Sequence, residues 1–239
     1  MTQPAAASRG SDDQSRPWLA VIDMQRVFGE PDSDWFAPRF AEILGPVRQL
    51  AEAFRPRVIF TRFIAPEKPA GAWRQYYEQW PFALQPPDAP IYALVDEFAD
   101  QPGPTLDATT FSKWGPMLAG LVGGSGEGAN SDSGSDTGSG SDTGSGSPGE
   151  LVLAGVSTDC CVLSTAVAAA DAGVAVRVVA NACAGSTDES HGQALEILRL
   201  YGPLIEVVSL AEILGEAGED DGSGEASEVS GGGGNKWGW

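Results

Sequence analysis

Histidine is almost missing from this chain: one residue, His191, stands against 33 acidic and 14 basic side chains in 239 residues. One imidazole cannot supply the histidine set of a transition-metal centre, so neither a metal nor any other cofactor is expected. Basic residues are scarce too. A net charge of −19 with no stripe of Lys and Arg argues against nucleic acid and anionic membranes as partners and leaves a small molecule. Cysteine is sparse and odd in number, at Cys160, Cys161 and Cys183, which suits reduced thiols better than a disulfide framework. No apolar run approaches the roughly 18 residues of a membrane span, and the opening MTQPAAASRGSDDQSRP lacks a signal-peptide core. A cytoplasmic location is therefore expected. The phosphate-binding glycine patterns are absent as well: DMQRVFGE stands after the first strand where G-x-G-x-x-G would be, and no G-x-x-x-x-G-K-[ST] occurs. Nucleotide binding is not expected.

What is present alternates strand and helix. Short apolar runs at Trp18–Ile22, Arg57–Thr61, Ile91–Val95, Thr105–Thr109, Leu151–Ala154, Ala175–Ala180 and Ile205–Ser209 read as strands buried on both faces. Between them, helical periodicity covers Trp35–Phe54, Pro116–Val122, Val162–Ala172 and Asp188–Tyr201, with a last turn at Ala211–Leu214. Repeated strand, helix, strand units predict right-handed crossovers and an α/β fold: one doubly wound, mostly parallel sheet with helices on both faces. One domain is expected over residues 17–215. Composition sets off an N-terminal tail at 1–16, a Gly/Ser/Asp-rich insert at 123–149 in which SDTGSG occurs twice, and an acidic tail at 216–239. None of the three holds enough apolar side chains to order itself.

The chemistry gathers at strand ends. ELVLAGVSTDCCVLSTAVAAADAG, from Glu150 to Gly173, is a strand that runs almost directly into a helix and puts two cysteines in the first turn. The helix dipole there favours thiolate over thiol. Asp23 ends the first strand in WLAVIDMQ, and Lys113 lies in TTFSKWG after a later one. An acid, a lysine and a cysteine at the C-terminal edge of a parallel sheet form a nucleophile set: the acid takes the thiol proton and the lysine stabilises negative charge. The competing reading of the cysteines is packing, which also serves for Cys183. Helix geometry turns Cys160 and Cys161 about 100° apart, so only one faces the crevice, and spacing does not say which. Arg62, after the second strand, suits either a substrate carboxylate or a surface ion pair. The aromatic stretch from Arg62 to Pro90 offers Trp73 and Tyr77 as walls for a planar substrate, or as simple cover for the sheet.

The DMQ at 23–25 with Phe28 following, the SK at 112–113 and GVSTDCCVLSTA at 155–166 together resemble the isochorismatase-like cysteine hydrolases, which include nicotinamidases and N-carbamoylsarcosine amidohydrolases. The resemblance spans about 170 residues. It implies a three-layer α/β fold and hydrolysis of a C–N bond in a small amide or ureido compound through a thioester. The implied catalytic residues are Asp23, Lys113 and Cys161, the last because the family's nucleophile precedes the valine of C-V-x-x-T-A. It also implies an oxyanion hole at Ser157 and Cys161, a cis peptide between Val156 and Ser157, Phe28 beside the substrate, and self-association into a homo-oligomer. Nicotinamidases of the family hold a metal through an acid and histidines, which the single His191 does not match. The alternative class is non-catalytic: a hydrolase-like interaction domain, or a thiol redox sensor.

Overall fold

A computed structural model describes residues 16–101, 103–123 and 149–219. The expectations for the N-terminal tail, for most of the insert and for the chain beyond residue 219 lie outside the described residues. The elements follow the order β1 (Trp18–Ile22), α1 (Arg26–Gly29), α2 (Phe40–Ala53), β2 (Val58–Phe63), α3 (Trp73–Gln79), β3 (Thr105–Ala108), α4 (Pro116–Val122), β4 (Glu150–Val156), α5 (Leu163–Asp171), β5 (Ala175–Ala184), α6 (Asp188–Arg199), β6 (Ile205–Val208) and α7 (Leu210–Glu219).

The six strands make one sheet in the order β3-β2-β1-β4-β5-β6, every neighbouring pair parallel. The fold is the doubly wound α/β sheet expected. Its central strands read as unbroken apolar runs because both faces are covered. Along β1, Leu19 and Val21 join the layer of α2 and α7, whereas Ala20 and Ile22 join that of α4, α5 and α6. In α5 the residues buried against the sheet are Thr165, Ala166, Ala169 and Ala170, small side chains that let the helix lie close to the strands.

Winding reverses between β1 and β4, the first strands of the two halves, and at such a switch point a crevice opens beyond the strand ends. One glycine makes the junction possible. Gly155 of β4 has φ of +115°, and a Cβ there would fall 2.1 Å from the Ile22 carbonyl oxygen of β1. Any side chain would push apart the strands that carry Asp23 and the cysteine turn.

Several sequence expectations need correction. Ile91–Val95 is not a strand: Pro90–Tyr92 is a 3₁₀ turn, and only Leu94 makes a single antiparallel bridge, to Gln25. Prolines and the buried Tyr92, whose hydroxyl bonds the Ala83 carbonyl, hold this segment as a folded connection. The Trp35–Phe54 periodicity yields a helix only from Phe40, with Pro46 inside it. β5 runs to Ala184, so Cys183 lies within the strand, buried as packing. The turn expected at Ala211–Leu214 is the ten-residue helix α7, and it carries chain into the stretch assigned to the C-terminal tail.

Candidate active site

Asp23 follows β1 in the left-handed region, φ 50°, a conformation Asp tolerates better than most residues. It is fully buried, and both carboxylate oxygens are held by a neighbour. Thr61 of β2 donates to Oδ1 at 2.7 Å and accepts from the Asp23 backbone N–H at 3.1 Å. Oδ2 lies 2.9 Å from Lys113 Nζ, and both side chains are 0% exposed. Gln25 buttresses the same corner, donating to the Phe63 and Tyr92 carbonyls and accepting from Phe63 N–H.

Lys113 sits in the loop between β3 and α4. Its ammonium donates to the Thr110 carbonyl at 3.1 Å and stands 5.0 Å from the centre of the Phe63 ring. Burial alone would depress its pKa; the charge of Asp23, with a smaller contribution from Cys161, outweighs burial and raises it. The lysine is therefore a resident cation. A polar chain ties its backbone to the cysteine turn: Lys113 N–H donates to Thr165 Oγ1 at 2.8 Å, and Thr165 Oγ1 donates to the Cys161 carbonyl at 2.6 Å.

The cysteines lie in a π-helical turn, Thr158–Val162, which leads into α5 and follows a cis Val156–Ser157 peptide. Cys160 N–H and Val162 N–H both donate to the Ser157 carbonyl. Cys161 is buried and Cys160 half-buried, and the two thiols hydrogen-bond each other. That bond holds Cys160 below the usual thiol range. At Cys161 the same bond, and then burial, push the thiol well up against the pull of Lys113. The sequence expectation that the dipole favours thiolate is thus reversed at Cys161: resting Cys161 keeps its proton, and a base must take it.

Beyond the strand ends opens a cavity of about 290 Å³. Phe28, Ser157 and Cys161 line it. Three other residues do not. Arg62, within β2, donates through Nε and Nη2 to the carboxylate of its register partner Asp107 on β3, at 2.7 and 2.6 Å, so it is the cross-strand ion pair and not a substrate clamp. Trp73 and Tyr77 share the inner face of α3 one turn apart. Tyr77 is 3% exposed within the core and Trp73 packs on Phe111. The neighbouring face of the same helix turns to the cavity, and there Tyr76 and Trp80 form part of the wall.

Both cysteines line the cavity, so the expectation that only one faces the crevice is corrected; the residues not singled out from the sequence are mostly aromatic, Trp35, Phe36, Phe63, Tyr76, Trp80 and Phe111, with Asp34, Asp159 and Ser186. For Tyr76 and Trp80 the signal existed, an i, i+4 pair on one helical face. Trp35 and Phe36 were masked by a helical period that in fact begins at Phe40. His191 is half-buried, and its Nδ1 lies 2.8 Å from Thr158 Oγ1. Among the described residues no group of three or more His, Cys, Asp or Glu could hold a metal. The acid-and-histidine centre of the nicotinamidases does not fit the side chains present.

Residues 143–212 match the model of the Isochorismatase domain. No curated protein matches the chain. Among solved structures, the chain is similar to a cysteine hydrolase from Pseudomonas syringae pv. phaseolicola at 18% identity and TM-score 0.68, covering 92% of this chain and 99% of that one. An isochorismatase-like hydrolase from Alkaliphilus metalliredigens aligns at 16% identity and TM-score 0.61, over 85% and 98% of the two chains. A nicotinamidase from Bacillus subtilis aligns at 19% identity and TM-score 0.58, over 81% and 99%. At these identities the likeness is one of fold.

Proposed function

We propose that this chain, an isochorismatase-like hydrolase by its fold and its domain match, cleaves the C–N bond of a small amide or ureido compound with Cys161 as nucleophile. The observation that carries the reading is the wholly buried Asp23–Lys113 ion pair, 2.9 Å long, at the switch point beside a buried thiol. A charged pair without solvent is costly to maintain for stability alone. It is well suited to moving one proton in a dry site.

In the proposed cycle the substrate carbonyl enters the cavity, Asp23 takes the proton of Cys161, and the sulfur adds to the carbonyl carbon. The oxyanion is held by backbone N–H groups of the Ser157–Cys161 turn, and Asp23 returns the proton to the departing nitrogen. Water, deprotonated by the same carboxylate, then cleaves the thioester. Lys113 holds the Asp23 carboxylate in place through their ion pair, and its charge partly offsets the negative charge developing on sulfur. The raised Cys161 thiol suits this sequence, because the proton moves only when a substrate is in place.

The test is ammonia or amine release across a panel of small amides and ureido compounds. Turnover that vanishes in Cys161→Ala supports the reading, and no release from any of them contradicts it. The redox alternative draws no support from Cys183, whose Sγ lies 4.0 Å from the Leu153 carbonyl inside the sheet.

A further inference from the structure

The lining of the cavity is uneven in charge. Two carboxylates, Asp34 and Asp159, face it, and no Lys, Arg or His is among its lining residues. The nearby Lys113 ammonium is already matched by Asp23. Asp159 is engaged as well, accepting from the Ser186 N–H at 2.8 Å and the Ser186 hydroxyl at 2.7 Å. Asp34 has no hydrogen-bond or ion-pair partner among the described residues. Aromatic rings line the same cavity: Trp35 and Phe36 follow Asp34 in the chain, and Trp35 packs against Tyr76 at 5.9 Å and Trp80 at 6.2 Å, centre to centre.

Taking the hydrolase reading as its basis, we propose that the site selects a flat aromatic amide carrying a positive charge, with the cationic group between Asp34 and the rings of Trp35 and Trp80. Three physical terms agree. Ring faces attract a cation, most strongly in tryptophan. An unpaired carboxylate at the mouth adds direct attraction, and the chain's net charge of −19 draws cations toward the opening. A substrate with a carboxylate meets the opposite of each and finds no arginine to receive it, since Arg62 is held by Asp107. The cavity of about 290 Å³ is at the small end of ligand pockets and holds one ring with its substituents.

Three amides of one shape test this: benzamide, its 3-trimethylammonio derivative and its 3-carboxylate. At low ionic strength kcat/KM is expected to be about tenfold higher for the cation than for benzamide, and lowest for the anion. Asp34→Asn should collapse the cation-to-neutral ratio several-fold. Asp88→Asn, an exposed acid that is not among the cavity's lining residues, should leave the ratio unchanged and so removes net charge as the explanation. A second readout does not depend on turnover: quenching of tryptophan fluorescence by phenyltrimethylammonium in the Cys161→Ala protein, weakened several-fold by Asp34→Asn. If amides are cleaved without preference for the cation, or the anion is preferred, the inference is overturned and the hydrolase reading stands. If no amide or ureido compound of the panel is cleaved but the probe binds in an Asp34-dependent way, the hydrolase reading fails and the cation site stands. Absence of Asp34-dependent binding overturns the inference in either case.

Discussion

Lys113 Nζ lies 2.9 Å from Asp23 Oδ2 with neither side chain exposed to solvent. The two arrive from loops 90 positions apart in the chain, carried together by β1 and β3 on either side of β2. Each charge is tolerable only because of the other.

Removing one partner should therefore cost far more than removing both. Lys113→Met leaves the Asp23 carboxylate buried beside an apolar chain, with an expected loss of about 3–5 kcal/mol. The double variant Asp23→Asn with Lys113→Met should recover a substantial part of that loss while remaining inactive. Urea unfolding of the two single variants and the double one measures the coupling; additive losses would mean the pair is not mutually dependent.

Much of this arrangement was legible in the chain itself. Asp23 ending an apolar strand, Lys113 after a later strand and the cysteines opening a helix are features of local pattern, and their positions follow once the strands are placed parallel. What was not legible came from contacts that leave no periodic trace. Arg62 finds Asp107 only through the β2–β3 register. The thiol at Cys161 is raised by a neighbour and by burial, neither of which a dipole argument contains. Tyr76 differs from Tyr77 only in which way the helix turns it, and Trp35 was absorbed into a helix that starts five residues later.

The reversal at the paired sulfurs makes alkylation informative. In free enzyme near neutral pH, iodoacetamide should modify Cys160 ahead of Cys161, since Cys160 is the more exposed thiol and the one held below the usual range. Cys160→Ala should abolish the fast phase of labelling yet retain most turnover, and Cys161→Ala, which removes the thiol that holds Cys160 low, should slow the labelling of Cys160 and lose turnover. Fragment mass spectra that place the first label on Cys161 would contradict the assignment.

Alkaline stability should report the buried thiol of β5. Burial raises Cys183 from its ordinary 9.0 to about 12. The unfolded chain loses this proton above pH 9 while the folded chain keeps it, so its contribution is intact below pH 9 and lost progressively from pH 9 toward 12. Burial raises Tyr77 as well, which adds to the same trend above pH 10. The fall in melting temperature between pH 8.5 and 10.5 should be smaller in Cys183→Ala than in the parent chain. Equal slopes would show that Cys183 does not drive it.

The insert between α4 and β4 should be removable. Its flanks already touch: a Cβ on Gly149 would lie 2.7 Å from the Val122 carbonyl oxygen. Because loop closure depends weakly on length, replacing residues 124–148 by a short Gly/Ser linker should change the melting temperature by a few degrees at most and leave turnover near the parent rate. A large loss of either would assign the segment a structural or catalytic part.

The central claim is that Cys161, deprotonated by Asp23, forms a thioester with the substrate acyl group. The direct measurement is mass spectrometry of protein quenched in acid during turnover of a slowly hydrolysed amide, with the adduct located by peptide fragmentation. The account predicts an acyl mass on Cys161 that appears within the first turnover, decays as substrate is exhausted and is absent from Cys161→Ala and Asp23→Asn. An adduct on Cys160, or full turnover by Cys161→Ala, would contradict it.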